Sequence, residues 1–270
     1  MNLTYYLKSK LLDLLELAYK DNCDEDAMKS FKYFNIELSK KTIKKNEEYK
    51  ERKIIIFNLY RQECEIVNSL IIGLSHHIDF CIRGETDNRN PFCEIYQSLL
   101  YLAFQDKMIS YDELIKSQDY KDKKLIQNAT NIYYEDIKNE ENCIIEVFNS
   151  FNIREYLKQH KFKYNTFHQS WEIEVKKTLL NKAIEMLLSR DESIIIETRS
   201  PSKIIFGLTA FVCISGYTYK YKDLLKENHY FFKDNKWLKK IQANYYLIEK
   251  EEIEKVLPKG QGIKVSIEYF

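Results

Sequence analysis

Glycine and proline are scarce in this chain of 270 residues, at six and three respectively. That scarcity excludes collagen-like and glycine-rich architectures and leaves little material for long flexible linkers. No apolar run approaches the roughly 18 residues of a membrane span, so no membrane association is expected. The start, Met1-Asn2-Leu3-Thr4-Tyr5-Tyr6, lacks the basic and then apolar pattern of a secretory leader. The six cysteines (Cys23, Cys64, Cys81, Cys93, Cys143, Cys213) are scattered, with no Cys-x-x-Cys pair, a usage that reads as reduced, buried thiols in a cytoplasmic protein. No phosphate-binding loop, G-x-G-x-x-G, G-x-S-x-G or locally supported Cys-His pair occurs, so nothing points to a nucleotide-dependent or serine/cysteine-based enzyme. The expectation is a protein without enzymatic activity and without a cofactor.

What is present is ample core material, 44% hydrophobic residues with 14% aromatic, at a formal charge of +1. The charge is uneven: residues 143–270 hold 21 basic against 16 acidic side chains, a surplus of +5 that leaves −4 on residues 1–142. A mildly basic C-terminal half hints at a polyanionic partner. Charged runs at 47–53 and 249–255 read as solvated helix faces.

The predicted fold class is α+β. Leu3, Tyr6, Leu7, Leu11, Leu14, Leu15 and Leu17 form a helical stripe, and Asp24 can cap a second helix within a helical segment at 1–33. Residues 34–38 and 53–59 read as strands. A helix follows from 63 to 80 with Ile66, Leu70, Leu74 and Ile78 aligned, then a loop at 83–88. Pro91 opens another helix to 104, as proline's fixed φ allows. This second segment spans 34–115, and the polar stretch at 116–142 reads as a linker.

Within the helix at 63–80 stand Ile72, Gly73, His76, His77, Ile78 and Asp79, followed by Arg83, Gly84 and Asp87. This frame resembles the active helix and following loop of SprT-like zinc metallopeptidases, a zincin-type family in which His-Glu-x-x-His grips one Zn²⁺ from one helix face. The resemblance covers residues 34–115 and implies two strands, the helix and a third ligand beyond it. Ile72 and Gly73 stand where the first ligand and the general base belong, and Asn88 where the third ligand belongs. His76 and His77 are therefore read as vestigial, with no metal bound. Adjacent helical residues point about 100° apart and grip one ion poorly. One of the pair is expected to be packed and the other to face solvent. Gly73 costs a helix about 1 kcal/mol relative to alanine with no visible return.

The C-terminal half contains an internal repeat. Residues 151–164, FNIREYLKQHKFKY, align with 219–232, YKYKDLLKENHYFF, and Trp171 aligns with Trp237 if two residues are skipped in the turn before tryptophan. Aromatic meets aromatic, Arg154 meets Lys222, and Lys158 meets Lys226. Each copy is expected to begin with an apolar strand (143–148; 204–214) and to end with a strand (193–198; 264–269). The copies occupy 143–198 and 199–270. Their short Leu-Lys helix and later tryptophan resemble HARP-like modules, small α+β units attached to DNA-processing enzymes, and the resemblance implies a nucleic-acid role.

In the second copy, seven lysines stand against three acids between Tyr219 and Ile241. Cations neutralise phosphates and flat rings stack on bases. Candidate binding residues are Tyr219, Lys220, Lys222, Lys226, Lys233, Lys236, Trp237, Lys239 and Lys240, with Arg154, Lys158 and Trp171 in the first copy. The expected function is non-enzymatic binding of DNA or RNA through the second repeat. The competing expectation is an inhibitor or adaptor built on an inactive protease scaffold, such as a phage or mobile-element anti-defence protein that blocks a host nuclease complex through a protein partner.

Overall fold

A computed structural model describes residues 2–21, 23–117, 141–166, 168–205, 207–257 and 262–269. The fold is α+β, and most of the expected linker lies outside the described residues. The N-terminal part begins with α1 (Leu3–Tyr19), whose Leu7, Leu11, Leu14 and Leu15 are buried, the outcome of apolar residues recurring on one helix face. Asp24 caps α2 (Glu25–Lys32) by accepting from the Ala27 N–H at 2.8 Å. A three-stranded sheet follows, of β1 (Asn35–Leu38), β2 (Glu47–Lys50) and β3 (Lys53–Ile56), in which β3 is central, parallel to β1 and antiparallel to β2. Three helices complete this part: α3 (Glu63–Arg83), α4 (Asn90–Gln105) and α5 (Tyr111–Lys116). A single core joins α1, α2, β3, α3 and α4, with Leu11, Phe31, Ile54, Leu70 and Leu99 among its members.

Two expectations fail here. Residues 47–53 are not a helix face: they form β2, a tight turn in which Glu51 and Arg52 have positive φ, and the first residue of β3. Pairing with β3 satisfies a backbone that the charges alone left exposed. Gly73 is not an idle cost either. A Cβ placed there would lie 2.4 Å from Ile54 Cγ2, so the missing side chain is what lets α3 pack closely on β3.

The C-terminal half forms two units of the same build. Unit one runs β4 (Asn142–Phe148), a 3₁₀ turn (Phe151–Ile153), α6 (Arg154–Gln159), β5 (Lys163–Asn165), β6 (Ser170–Lys176), a 3₁₀ turn (Lys177–Leu179), α7 (Leu180–Leu188) and β7 (Ile195–Arg199). Unit two repeats that order with β8 (Thr209–Ser215), a turn at Tyr219–Tyr221, α8 (Lys222–Glu227), β9 (Phe231–Lys233), β10 (Lys236–Gln242), a turn at Ala243–Tyr245, α9 (Tyr246–Val256) and β11 (Lys264–Tyr269). The strand orders, β5-β6-β4-β7 and β9-β10-β8-β11, are equivalent, and every neighbouring pair is antiparallel. Each is a split β-α-β arrangement, the third strand lying between the first two. One face of each sheet packs on its helices over a core of Ile145, Val147, Leu157 and Leu187 in unit one and Val212, Ile214, Leu225 and Ile253 in unit two.

The strand expected over 204–214 begins only at Thr209. Ile204 instead enters the N-terminal core, and its N–H bonds the Met108 carbonyl. No helix of the described residues is long and apolar enough to cross a membrane.

Candidate functional site

Strand register fixes how the two units correspond. Trp171 lies opposite Tyr164 and Val147, and Trp237 lies opposite Phe232 and Ile214. In each unit a cleft opens between the first 3₁₀ turn, the helix after it and the β-hairpin that carries the tryptophan. Cleft one is about 450 Å³ and cleft two about 510 Å³. All seven residues of cleft one have an aligned partner in cleft two: Asn149 and Tyr217, Ser150 and Thr218, Phe151 and Tyr219, Arg154 and Lys222, Tyr164 and Phe232, Gln169 and Asn235, Trp171 and Trp237. Cleft two adds Gly216 and Lys226.

The walls are rings held in water. Phe151 is 86% exposed and Tyr219 76%, and Tyr164, Tyr217 and Phe232 are also exposed, whereas Trp237 is buried as the floor. Ring contacts hold the hairpin wall, with centroids 5.5 Å apart for Tyr164 and Trp171 and 5.3 Å for Phe232 and Trp237. The Lys222 ammonium sits 5.3 Å from the centre of the Tyr219 ring, where the negative face of the ring attracts it. Adjacent exposed aromatic rings beside a cation form a surface suited to a flat, anionic ligand.

The structure separates the candidate residues named from sequence. Arg154, Trp171, Tyr219, Lys222, Lys226 and Trp237 come together in the clefts. Lys158, the counterpart of Lys226, is tied to Glu155 at 2.8 Å. Lys239 lies away from cleft two, bound to Glu249 at 2.8 Å over the Tyr230 ring. Lys236 pairs with Glu268 across the sheet. Lys220 and Lys240 are exposed outside the cleft, as is Lys233 at the end of β9. Tyr217 and Phe232 belong to the basic-aromatic stretch of the second repeat; Phe151 and Tyr164 were not among the candidates, although the repeat register already paired them with Tyr219 and Phe232.

His76 and His77 are both absorbed by the fold. The His77 ring is fully buried; its Nε2 meets the Ser30 and Phe31 carbonyls at 3.2 and 3.1 Å and its Nδ1 the Tyr49 hydroxyl at 3.1 Å. Burial pulls its pKa down to about 4, the signature of a neutral imidazole with both nitrogens engaged. His76 does not simply face solvent. It stacks on Phe92 with centroids 4.1 Å apart and bonds Thr86 through Nδ1 at 2.8 Å.

A second cluster lies where unit one meets the N-terminal part. His168 Nδ1 is 2.7 Å from Glu146 and its Nε2 is 2.7 Å from Glu63, at the start of α3. Arg199 joins Glu172 at 2.9 Å and approaches Glu146 at 3.3 Å. Burial pulls the His168 pKa down, but Glu146 and Glu63 outweigh it and hold His168 at about 9. Burial raises Glu146 in turn, yet His168 and Arg199 bring it to about 2. Glu146, His168 and Glu172 offer ligand atoms within 4.8 Å of one another, the spacing of a metal site. Both ring nitrogens of His168 already hold carboxylates and a guanidinium occupies the same cluster, so the arrangement acts as an ion-pair junction. Sequence reading missed it because Glu63 and His168 are 105 positions apart.

Comparison with protein-family models, with curated proteins and with solved structures returns no match.

Proposed function

We propose that the protein binds nucleic acid without catalysing a reaction on it, through the aromatic clefts of its two repeated units, with cleft two the stronger. The observation that carries this reading is the recurrence of one cleft, seven aligned positions with exposed rings and a cation, in both units. Rings accept unpaired bases by stacking and the neighbouring cations neutralise phosphates. Cleft two has both Lys222 and Lys226 at its wall, whereas cleft one has Arg154 alone and Lys158, paired with Glu155, lies outside it. The HARP-like register of the repeats supports the same direction. The SprT-like frame of the N-terminal part is read as a scaffold whose histidines serve packing.

The test is fluorescence anisotropy with labelled single- and double-stranded DNA and RNA across a salt series. Binding should weaken steeply with salt, and Tyr219→Ala should reduce affinity about 10- to 100-fold, the worth of one stacked base. Lys222→Ala combined with Lys226→Ala should flatten the salt slope by about 1.4 for a single strand. Absence of binding by the wild-type protein at low salt would overturn the proposal and turn the search to a protein partner recovered from host lysate.

A further inference from the structure

Cleft one does not end at its own hairpin. Tyr164, on the edge strand β5, also lines a neighbouring groove of about 470 Å³ between α1 and the helix-free face of unit one. We propose that cleft one and this groove form one continuous binding path, so that the ligand is an unpaired strand several nucleotides long. The inference rests on the nucleic-acid reading of the clefts and adds to it the form of the ligand and a second set of contacts.

Four cations line the groove, Lys10, Lys163, Arg199 and Lys203, against one acid, Glu172. Glu172 is held by Arg199 at 2.9 Å, and Lys203 by Glu113 at 3.0 Å. Lys10 and Lys163 enter no ion pair among the described residues and therefore carry the groove's uncompensated charge. Tyr6 and Ile205 line the same groove, and Tyr6 is hydrogen-bonded to the Ile205 backbone, which fixes α1 against the segment after unit one.

The geometry supplies what cleft one lacks. Its only wall cation is Arg154, since Lys158 does not line it, but one step past Tyr164 the chain presents Lys163 and, from α1, Lys10. A base stacked beside Tyr164 would direct the adjoining phosphates toward two unneutralised ammonium groups. Duplex DNA keeps its bases stacked on each other and offers no free face to the ring, so the path selects single strands.

The experiment measures anisotropy with labelled oligothymidylates of about 4 and about 16 nucleotides, lengths that bracket a single-strand site. The Lys10→Glu, Lys163→Glu double variant should lose about tenfold or more in affinity for the long oligomer and bind the short one as the wild type does. Loss of two phosphate contacts should lower the long oligomer's salt slope by about 1.4. The Lys10→Gln, Lys163→Gln variant repeats the measurement without introducing negative charge, and matching thermal melts establish that both variants are folded. Wild-type affinity for the long oligomer in both variants, or a preference of the wild type for duplex, overturns the groove. No binding of either oligomer by the wild-type protein overturns the nucleic-acid reading itself.

Discussion

The two C-terminal units share a topology and differ on one face. On the helix side both keep the cleft, position for position. On the opposite face unit one carries Glu146, Glu172 and Arg199, where unit two has Cys213, Leu238 and Glu268 by the same strand register. The hairpins differ as well. In unit two, β9 and β10 are joined by Asp234 and Asn235, both with positive φ, a two-residue turn of the kind that matches strand twist. In unit one four residues instead of two separate Asn165, the end of β5, from Ser170, the start of β6, and the extra length carries His168. Its ring reaches Glu63 of α3, while its carbonyl accepts from Gln242 of unit two at 2.7 Å. One insertion thus links all three parts of the molecule. The lesson is that a duplicated scaffold can hold one face alike in both copies while the other is rebuilt for docking within the chain.

The largest expected effect comes from removing the insertion's key side chain. His168→Ala leaves the partly buried Glu63 without its cation and the buried Glu146 with Arg199 alone, and should cost about 3 kcal/mol, read by denaturant unfolding. The pH dependence follows from the same pair. The His168 pKa is raised from 6.5 to about 9, so its contribution is complete below 6.5 and disappears as pH rises through about 9. The Glu146 pKa is lowered from 4.5 to about 2, so its contribution is present above 4.5 and lost as pH falls toward 2. Wild-type stability should therefore fall on both sides of this window, and His168→Ala should flatten the alkaline limb. An unchanged alkaline limb in that variant would break the comparison.

A smaller effect is expected at the face that the units share. For an oligomer of about 4 nucleotides, Phe151→Ala should weaken binding less than Tyr219→Ala does, because within the clefts themselves cleft one has the single wall cation; equal losses would show that the two clefts contribute alike. The smallest effect is expected at Glu268, which occupies the register position of Arg199. Its pair with Lys236 is partly solvent-exposed, and Glu268→Ala should change stability by no more than about 1 kcal/mol. A cost comparable to that of His168→Ala would mean that unit two also depends on its helix-free face.

Much of the fold was legible because its signals are local. The stripe of Leu7, Leu11 and Leu14, the Asp24 cap and Pro91 at the start of α4 announce helices through spacing and backbone chemistry. The repeat announced itself through paired aromatics and its two-residue gap. Strand β2 was not legible, since Glu47, Glu48 and Lys50 earn their place only by pairing with β3. Nor was the role of Gly73, which depends on Ile54 on a different element. The clefts were half legible: Trp171, Trp237, Arg154 and Lys222 could be named, but exposure is not written in a residue's identity. Lys236 and Lys239, which read as free cations, turn out to be paired with Glu268 and Glu249.

By itself the sequence determined the α+β class, most of the helices and the duplication, because periodicity and internal alignment act over short or repeated stretches. Tertiary structure alone decided that His77 is a neutral packing residue, that Gly73 is a contact point, and that the two extra residues before Trp171 bring His168 between Glu63 and Glu146. Those outcomes depend on groups distant in the chain meeting in a low-dielectric interior, where a charge needs a partner, and no local pattern encodes that meeting.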